Sequence, residues 1–173
     1  MDVSPRYYDF SAYLSEHFSF KVQKISLNAG FTCPNRDGTV GYGGCTYCNN
    51  QTFNPAYCHT DKSVTEQLEE GKHFFARKYS DMRFLAYFQA YTNTYGELQE
   101  LKRKYEEALT VPDVVGIVIG TRPDCMPEEL LDYLEELNII YGFMTPPELG
   151  SSEGYNLSEI DSDLIKFNSC ISS

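Results

Sequence analysis

Val114-Val-Gly-Ile-Val-Ile-Gly120 is a nearly continuous apolar run. Apolar side chains at consecutive positions are the mark of a strand buried on both faces, as in a parallel sheet. Upstream, Leu98, Leu101, Tyr105, Ala108 and Leu109 recur at helical spacing through Glu97 to Leu109, and Pro112-Asp113 punctuates the chain after them. Before that helix, RFLAYFQAY (Arg83–Tyr91) is rich in aromatics and predicts a second strand. SVTEQLEEGKHFFARKY (Ser63–Tyr79) predicts a helix, with Ser63 as N-cap and Glu66 three residues on as its capping box. FKVQKISL (Phe20–Leu27) predicts the first strand, although Phe20, Val22, Ile25 and Leu27 do not all share one phase. Residues 10–17 predict a short helix ahead of it. Downstream, Pro127 followed by Glu128 and Glu129 opens a helix expected to run to about Asn138. The alternation of strand and helix argues for an α/β fold with βαβ units, right-handed crossovers and a parallel sheet.

The chain has 173 residues, enough for one domain with a real core. No apolar run approaches the roughly 20 residues of a membrane span, so no membrane partner is expected. The start, MDVSPRYYDF, lacks a charged region followed by an apolar stretch and is not read as a secretory signal. A cytoplasmic location is expected. The net charge of −11 repels phosphate backbones and counts against nucleic-acid binding. The basic cluster Lys102-Arg103-Lys104 reads as a solvated helix face. Residues 1–138 carry the ordered pattern. Residues 139–173 hold Pro146-Pro147, many serines, five acids and one lysine, and read as an irregular acidic tail.

Between the first strand and the Ser63 helix lies a long loop, Asn28 to Asn54. It contains Cys33-Pro-Asn-Arg-Asp-Gly-Thr-Val-Gly-Tyr-Gly-Gly-Cys45-Thr-Tyr-Cys48. Loops of this length inside compact domains are usually functional or disordered. A C-x-x-C turn lets two thiolates converge, and Gly43 and Gly44 let the backbone pass close to a metal. In a reducing compartment, clustered cysteines read as metal ligands or reactive thiols. Four readings are open on spacing alone. They are an iron–sulfur cluster on three cysteines, a zinc site completed by Cys58 or His59, a redox dithiol at Cys45 and Cys48, and three unconnected cysteines.

ISLNAGFTCPNRDGTVGYGGCTYCNN (Ile25–Asn50) resembles the cluster loop of radical SAM enzymes. It is most similar to a bacterial group, related to the catalytic subunit of Elongator, whose first and second cysteines are unusually far apart. The similarity continues through FQAYTNTY (Phe88–Tyr95) and IGTRPDC (Ile119–Cys125) and covers roughly Tyr7 to Asn138. The resemblance implies the N-terminal portion of a partial (β/α) barrel. It implies that Cys33, Cys45 and Cys48 bind three irons of a [4Fe–4S] cluster whose fourth iron takes S-adenosylmethionine. Reductive cleavage of that cofactor would yield a 5′-deoxyadenosyl radical. Tyr47 would lie near the adenine. Gln89, Thr92, Asn93 and Thr94 would offer uncharged donors and acceptors to the methionine end. Arg122 would pair with the cofactor carboxylate, or else form a salt bridge to Asp124 or Glu128. Cys125 reads as a packed thiol, and His17 and His73 as surface or packing residues. A reducing partner such as flavodoxin or ferredoxin is implied, and tRNA, through modification of wobble-uridine side chains, as the substrate. The alternative is a zinc-stabilised, non-catalytic binding module.

The similarity ends near Asn138, before the strands that would complete such a barrel, so the chain is expected to be a truncated form. Three βα units are expected to bury too little of Val114–Gly120. Single replacement of Cys33, Cys45 or Cys48 by Ala is expected to abolish stable cluster binding, whereas Cys58→Ala, Cys125→Ala and Cys170→Ala should retain it. Iron and sulfide quantification after anaerobic reconstitution measures this. Loss in Cys58→Ala with retention in Cys33→Ala would overturn the ligand assignment.

Overall fold

Three strands, β1 (Lys21–Leu27), β2 (Met82–Phe88) and β3 (Val114–Ile119), pair in the order β1-β2-β3, all parallel. Among the described residues four α-helices accompany them: α1 (Phe10–His17), α2 (Val64–Ala76), α3 (Leu98–Thr110) and α4 (Glu128–Tyr141). The computed structural model describes residues 10–46, 48, 54–76 and 82–141, with side chains through Leu137. Tyr47, Cys170 and the part of the expected tail from 142 to 173 lie outside the described residues.

The sheet is covered unequally. Ile25 and Leu27 of β1, Phe84, Ala86 and Phe88 of β2, and Ile117 and Ile119 of β3 form one core with α2, α3 and α4. The other face carries Leu85 and Val118, packed with Tyr13 and Leu14 of α1 and bordered by Val22, Tyr87 and Val115. This explains the mixed phase of the first strand: Ile25 and Leu27 point to one core, while Val22 borders the other. Each fully buried Leu or Ile adds about 1.5–3 kcal/mol. The expectation that β3 is poorly buried is not met, since Ile117, Val118 and Ile119 are 2%, 4% and 0% exposed. Packing on both faces of the strand accomplishes this. Its outer hydrogen-bonding edge has no partner strand among the described residues. The described strands form an open sheet, not a closed barrel.

Element boundaries follow local chemistry. Glu66 accepts from Ser63 N and Oγ (2.7 and 2.9 Å), and Glu66 N donates to Ser63 Oγ (3.1 Å), so the capping box is formed as expected. Those bonds hold the Glu66 carboxyl below its ordinary range. The second strand was expected to reach Tyr91 but ends at Phe88. Gln89 to Tyr91 leave the sheet, and Tyr91 has φ 65°. The last helix runs three residues past the expected Asn138. On α3, Arg103 and Lys104 reach Glu107 and Glu100 one turn away (3.7 and 3.8 Å), and Lys102 lies over the Tyr133 ring. Such exposed pairs are worth little individually.

Helix α2 approaches β1 closely at Gly71. A Cβ there would overlap Ile25 Cγ2 and stand 3.3 Å from Tyr57 Cε2. Glycine within a helix costs about 0.5–1 kcal/mol relative to Ala, and the close approach accounts for keeping it. Gly71→Ala is therefore expected to destabilise the protein by about 1–2 kcal/mol, because overpacking outweighs the gain in helix propensity. Urea unfolding reads this as a lower midpoint; a higher midpoint would show that α2 shifts freely.

Candidate functional site

Parallel strands with crossovers on one face bring all their following loops to one edge, and ligands of open α/β sheets bind outside the carboxyl ends of the strands. Here the cysteine loop follows β1, Gln89–Thr94 follows β2, and Thr121–Cys125 follows β3.

The cysteine loop is built from its own hydrogen bonds. Arg36 N donates to Cys33 O (2.8 Å), turning the chain directly after the first cysteine. Val40 N and Gly41 N both donate to Pro34 O (2.9 and 3.2 Å), and Asp37 bridges to Tyr42 in antiparallel fashion, so the inserted residues form a small hairpin. Cys48 N donates to Cys45 O (3.0 Å), closing the C-x-x-C turn. Cys33, Cys45 and Cys48 are all partly exposed. Gly44 takes φ +83°, and a Cβ there would stand 2.9 Å from Arg36 Nη1; that guanidinium lies over the Tyr91 ring at 4.8 Å. Among the described residues, no three His, Cys, Asp or Glu side chains gather closely enough to hold a single metal ion.

The loop is pinned at its start by Gln67 of α2, which is 0% exposed. Its Oε1 accepts from Asn28 N (2.9 Å), and its Nε2 donates to Asn28 O and Lys62 O (3.0 and 3.1 Å). Sequence reading passed over Gln67. The available signal was a polar residue between Val64, Leu68 and Gly71 on the core face of an amphipathic helix.

The three strand ends are knitted together. Gln89 N donates to Leu27 O (3.3 Å), Ser26 Oγ to Gln89 Oε1 (3.0 Å), and Thr92 N to Thr32 O (3.2 Å), beside Cys33. Asn93 is fully buried. Its Nδ2 donates to Phe88 O and Gly120 O (3.0 and 2.8 Å), bridging the ends of β2 and β3, and its own carbonyl accepts from the Tyr105 hydroxyl. Thr94 Oγ1 shares a hydrogen bond with Thr121 Oγ1 and donates to Cys125 O (2.6 Å). Asn93 Oδ1 is buried and accepts no hydrogen bond from the described residues. An unsatisfied buried acceptor costs about 1–3 kcal/mol, so it calls for a donor.

Of the residues expected at a cofactor, Gln89, Thr92, Asn93 and Thr94 are thus brought together at one edge. Arg122 lies at the same edge, where its Nε and Nη2 form a fork on the Asp124 carboxylate (2.9 and 2.6 Å). That fork holds the guanidinium still further above its usual range and the Asp124 carboxyl below its own. Of the two uses expected for Arg122, the described structure contains the salt bridge to Asp124. Cys125 is buried, and burial followed by the neighbouring Asp124 charge pushes its thiol up to about 11. Cys58 lies in the main core at 2% exposure and burial likewise raises its thiol to about 11. Both thiols are covered by packing in the described structure.

No known protein-family model matches the chain, and no solved structure matches it. It is 47% identical over 138 residues to the uncharacterised protein YtqA of Bacillus subtilis (strain 168), an alignment covering 79% of this chain and 42% of YtqA. It is 45% identical over 128 residues to YhcC of Escherichia coli (strain K12), covering 73% and 40%. The uncharacterised protein MJ0486 of Methanocaldococcus jannaschii is 32% identical over 129 residues, covering 73% and 38%. The chain thus spans about two fifths of the length of these relatives.

Asn93→Ala is expected to destabilise the protein by about 1–2 kcal/mol, because Phe88 O and Gly120 O each lose a buried donor. Asn93→Asp should cost more, since it turns a second oxygen toward those carbonyls. Urea unfolding measures both, and an Asp variant as stable as the parent would show that the amide does not bridge the strands.

Proposed function

We propose that this chain is the N-terminal part of a radical SAM enzyme. Cys33, Cys45 and Cys48 hold a [4Fe–4S] cluster, and the Gln89–Thr94 segment receives S-adenosylmethionine. The observation that carries the reading is the join between the two segments. Thr92 is hydrogen-bonded to Thr32 next to Cys33, and Asn93 beside it keeps a buried acceptor without a described donor. Thiolate donors suit iron–sulfur clusters. A cluster spreads its ligands over several irons, so it does not require three thiols to converge on one ion as zinc does.

When bound, the cluster supplies the electron that breaks the carbon–sulfur bond of S-adenosylmethionine. The protein's part is to position and shield. Cys45 and Cys48 are presented by one tight turn, and Cys33 by another. Asn93, Thr94 and Thr121 fix the ends of β2 and β3 beside them. Tyr47, within the C-x-x-C turn, is assigned to the adenine. Arg122 serves a cofactor carboxylate by exchanging it for Asp124. Helices α2, α3 and α4 all lie on one face of the sheet, the arrangement from which a partial (β/α) barrel is continued by further strands.

A cytoplasmic location, electron delivery by flavodoxin or ferredoxin, and a tRNA wobble uridine as substrate complete the proposal. The acidic balance, 25 Asp and Glu against 14 Lys and Arg, works against the RNA part of it. Protein purified without oxygen is expected to be brown, to contain iron and sulfide, and to bleach on reduction with dithionite. Colourless protein carrying one zinc per chain would overturn the reading in favour of a zinc-stabilised module.

A further inference from the structure

The separation between Cys33 and Cys45 sets a mechanical problem. A cluster needs both thiols at one place, yet the chain makes a hairpin excursion between them. The closure of that excursion falls on one residue. The backbone carbonyl of Asn35 accepts from Gly44 N (2.9 Å), and its side-chain Nδ2 donates to Cys45 Sγ (3.1 Å). One asparagine, two residues beyond Cys33, therefore grips two successive residues on the returning arm. Pro34 holds the tip through Val40 N and Gly41 N, and Arg36 braces the base against Gly44 and the Tyr91 ring. Neither of those contacts reaches a cysteine sulfur.

We infer that Asn35 is the positioning residue of the cluster site: it ties Cys45 across the expanded loop to the arm that carries Cys33, and its amide N–H is a hydrogen bond to a ligating sulfur. This rests on the cluster reading above. Partners of metal ligands fix ligand orientation, and hydrogen bonds to the sulfurs help set the reduction potential of iron–sulfur clusters. An N–H donor on sulfur draws electron density from it and favours the reduced cluster. Asn35 acts through Cys45 and does not touch the reacting atoms.

The test compares parent, Asn35→Asp and Asn35→Gln in the full chain. The Asp variant keeps the backbone bond to Gly44, loses the side-chain donor and adds a negative charge; the Gln variant keeps an amide N–H. Asn35→Ala is read alongside so that the result does not hang on the folding of one variant, and thermal melting of the metal-free proteins reports the fold. After anaerobic reconstitution, iron per chain and the cluster midpoint potential are measured. With melting unchanged, Asn35→Asp and Asn35→Ala are expected to lower the equilibrium constant for cluster reduction about tenfold, roughly 59 mV for a one-electron couple, or to lose iron outright. Asn35→Gln should recover most of the loss. Parental iron content and potential in both the Asp and Ala variants would overturn the inference and leave the cluster reading standing. A parent that binds no cluster overturns both.

Discussion

Everything at the candidate site depends on one constraint of parallel sheets. Strands that run the same way, with their crossovers on one face, must deliver every following loop to the same edge. At that edge backbone bonds continue one step further, Gly120 N to Phe88 O and Asn93 N to Gly120 O, and the fully buried amide of Asn93 adds its two hydrogens to the same two carbonyls. The same residue receives the Tyr105 hydroxyl from α3, which ties the helical layer to the strand ends. The loops after β2 and β3 are thereby fixed to each other before any ligand is considered.

The cysteine loop is attached to this frame over its first residues, Asn28 to Thr32. Gln67 takes both backbone groups of Asn28 where the loop leaves β1, and Thr92 reaches Thr32 just before the first cysteine. The approach to Cys33 is thereby ordered at folding and loses little further conformational entropy on binding. That economy suits a site whose ligands must meet at defined positions. Cys33, Cys45 and Cys48 are partly exposed, whereas Cys58 and Cys125 are buried.

Much of this was legible in the sequence, for reasons that differ residue by residue. The Ser63–Glu66 capping box is a local interaction between residues three apart, so spacing alone foretold it. The third strand was visible because burial on both faces leaves no polar alternation to confuse. The first was blurred because its two apolar faces share one short segment. The second strand was read too long: aromatic residues continue to Tyr91, but the backbone leaves the ladder at Phe88, and side-chain type does not report backbone partners. The cysteines stood out by type and spacing. Gln67 and Asn35 did not, since a polar residue acquires its meaning only from what folds against it. For Arg122 the sequence admitted a ligand or a local carboxylate, and the carboxylate two residues away took both donor positions.

The hairpin between Cys33 and Cys45 is a self-closed insertion. Its two arms meet at Asn35 and Gly44, while Thr39 hydrogen-bonds with Tyr95 at 2.9 Å and Val40 stands 65% exposed at the tip. Because closing a loop costs free energy only as the logarithm of its length, residues added at that tip would carry little closure cost where the bonds of Thr39 to Tyr95 and of Val40 and Gly41 to Pro34 re-form. The stretch between Cys33 and Cys45 is thus also one of the easiest for evolution, or for a protein engineer, to lengthen. A binding epitope or a fluorescent reporter grafted there would extend into solvent from the exposed Val40, between the first two cysteines of the sequence.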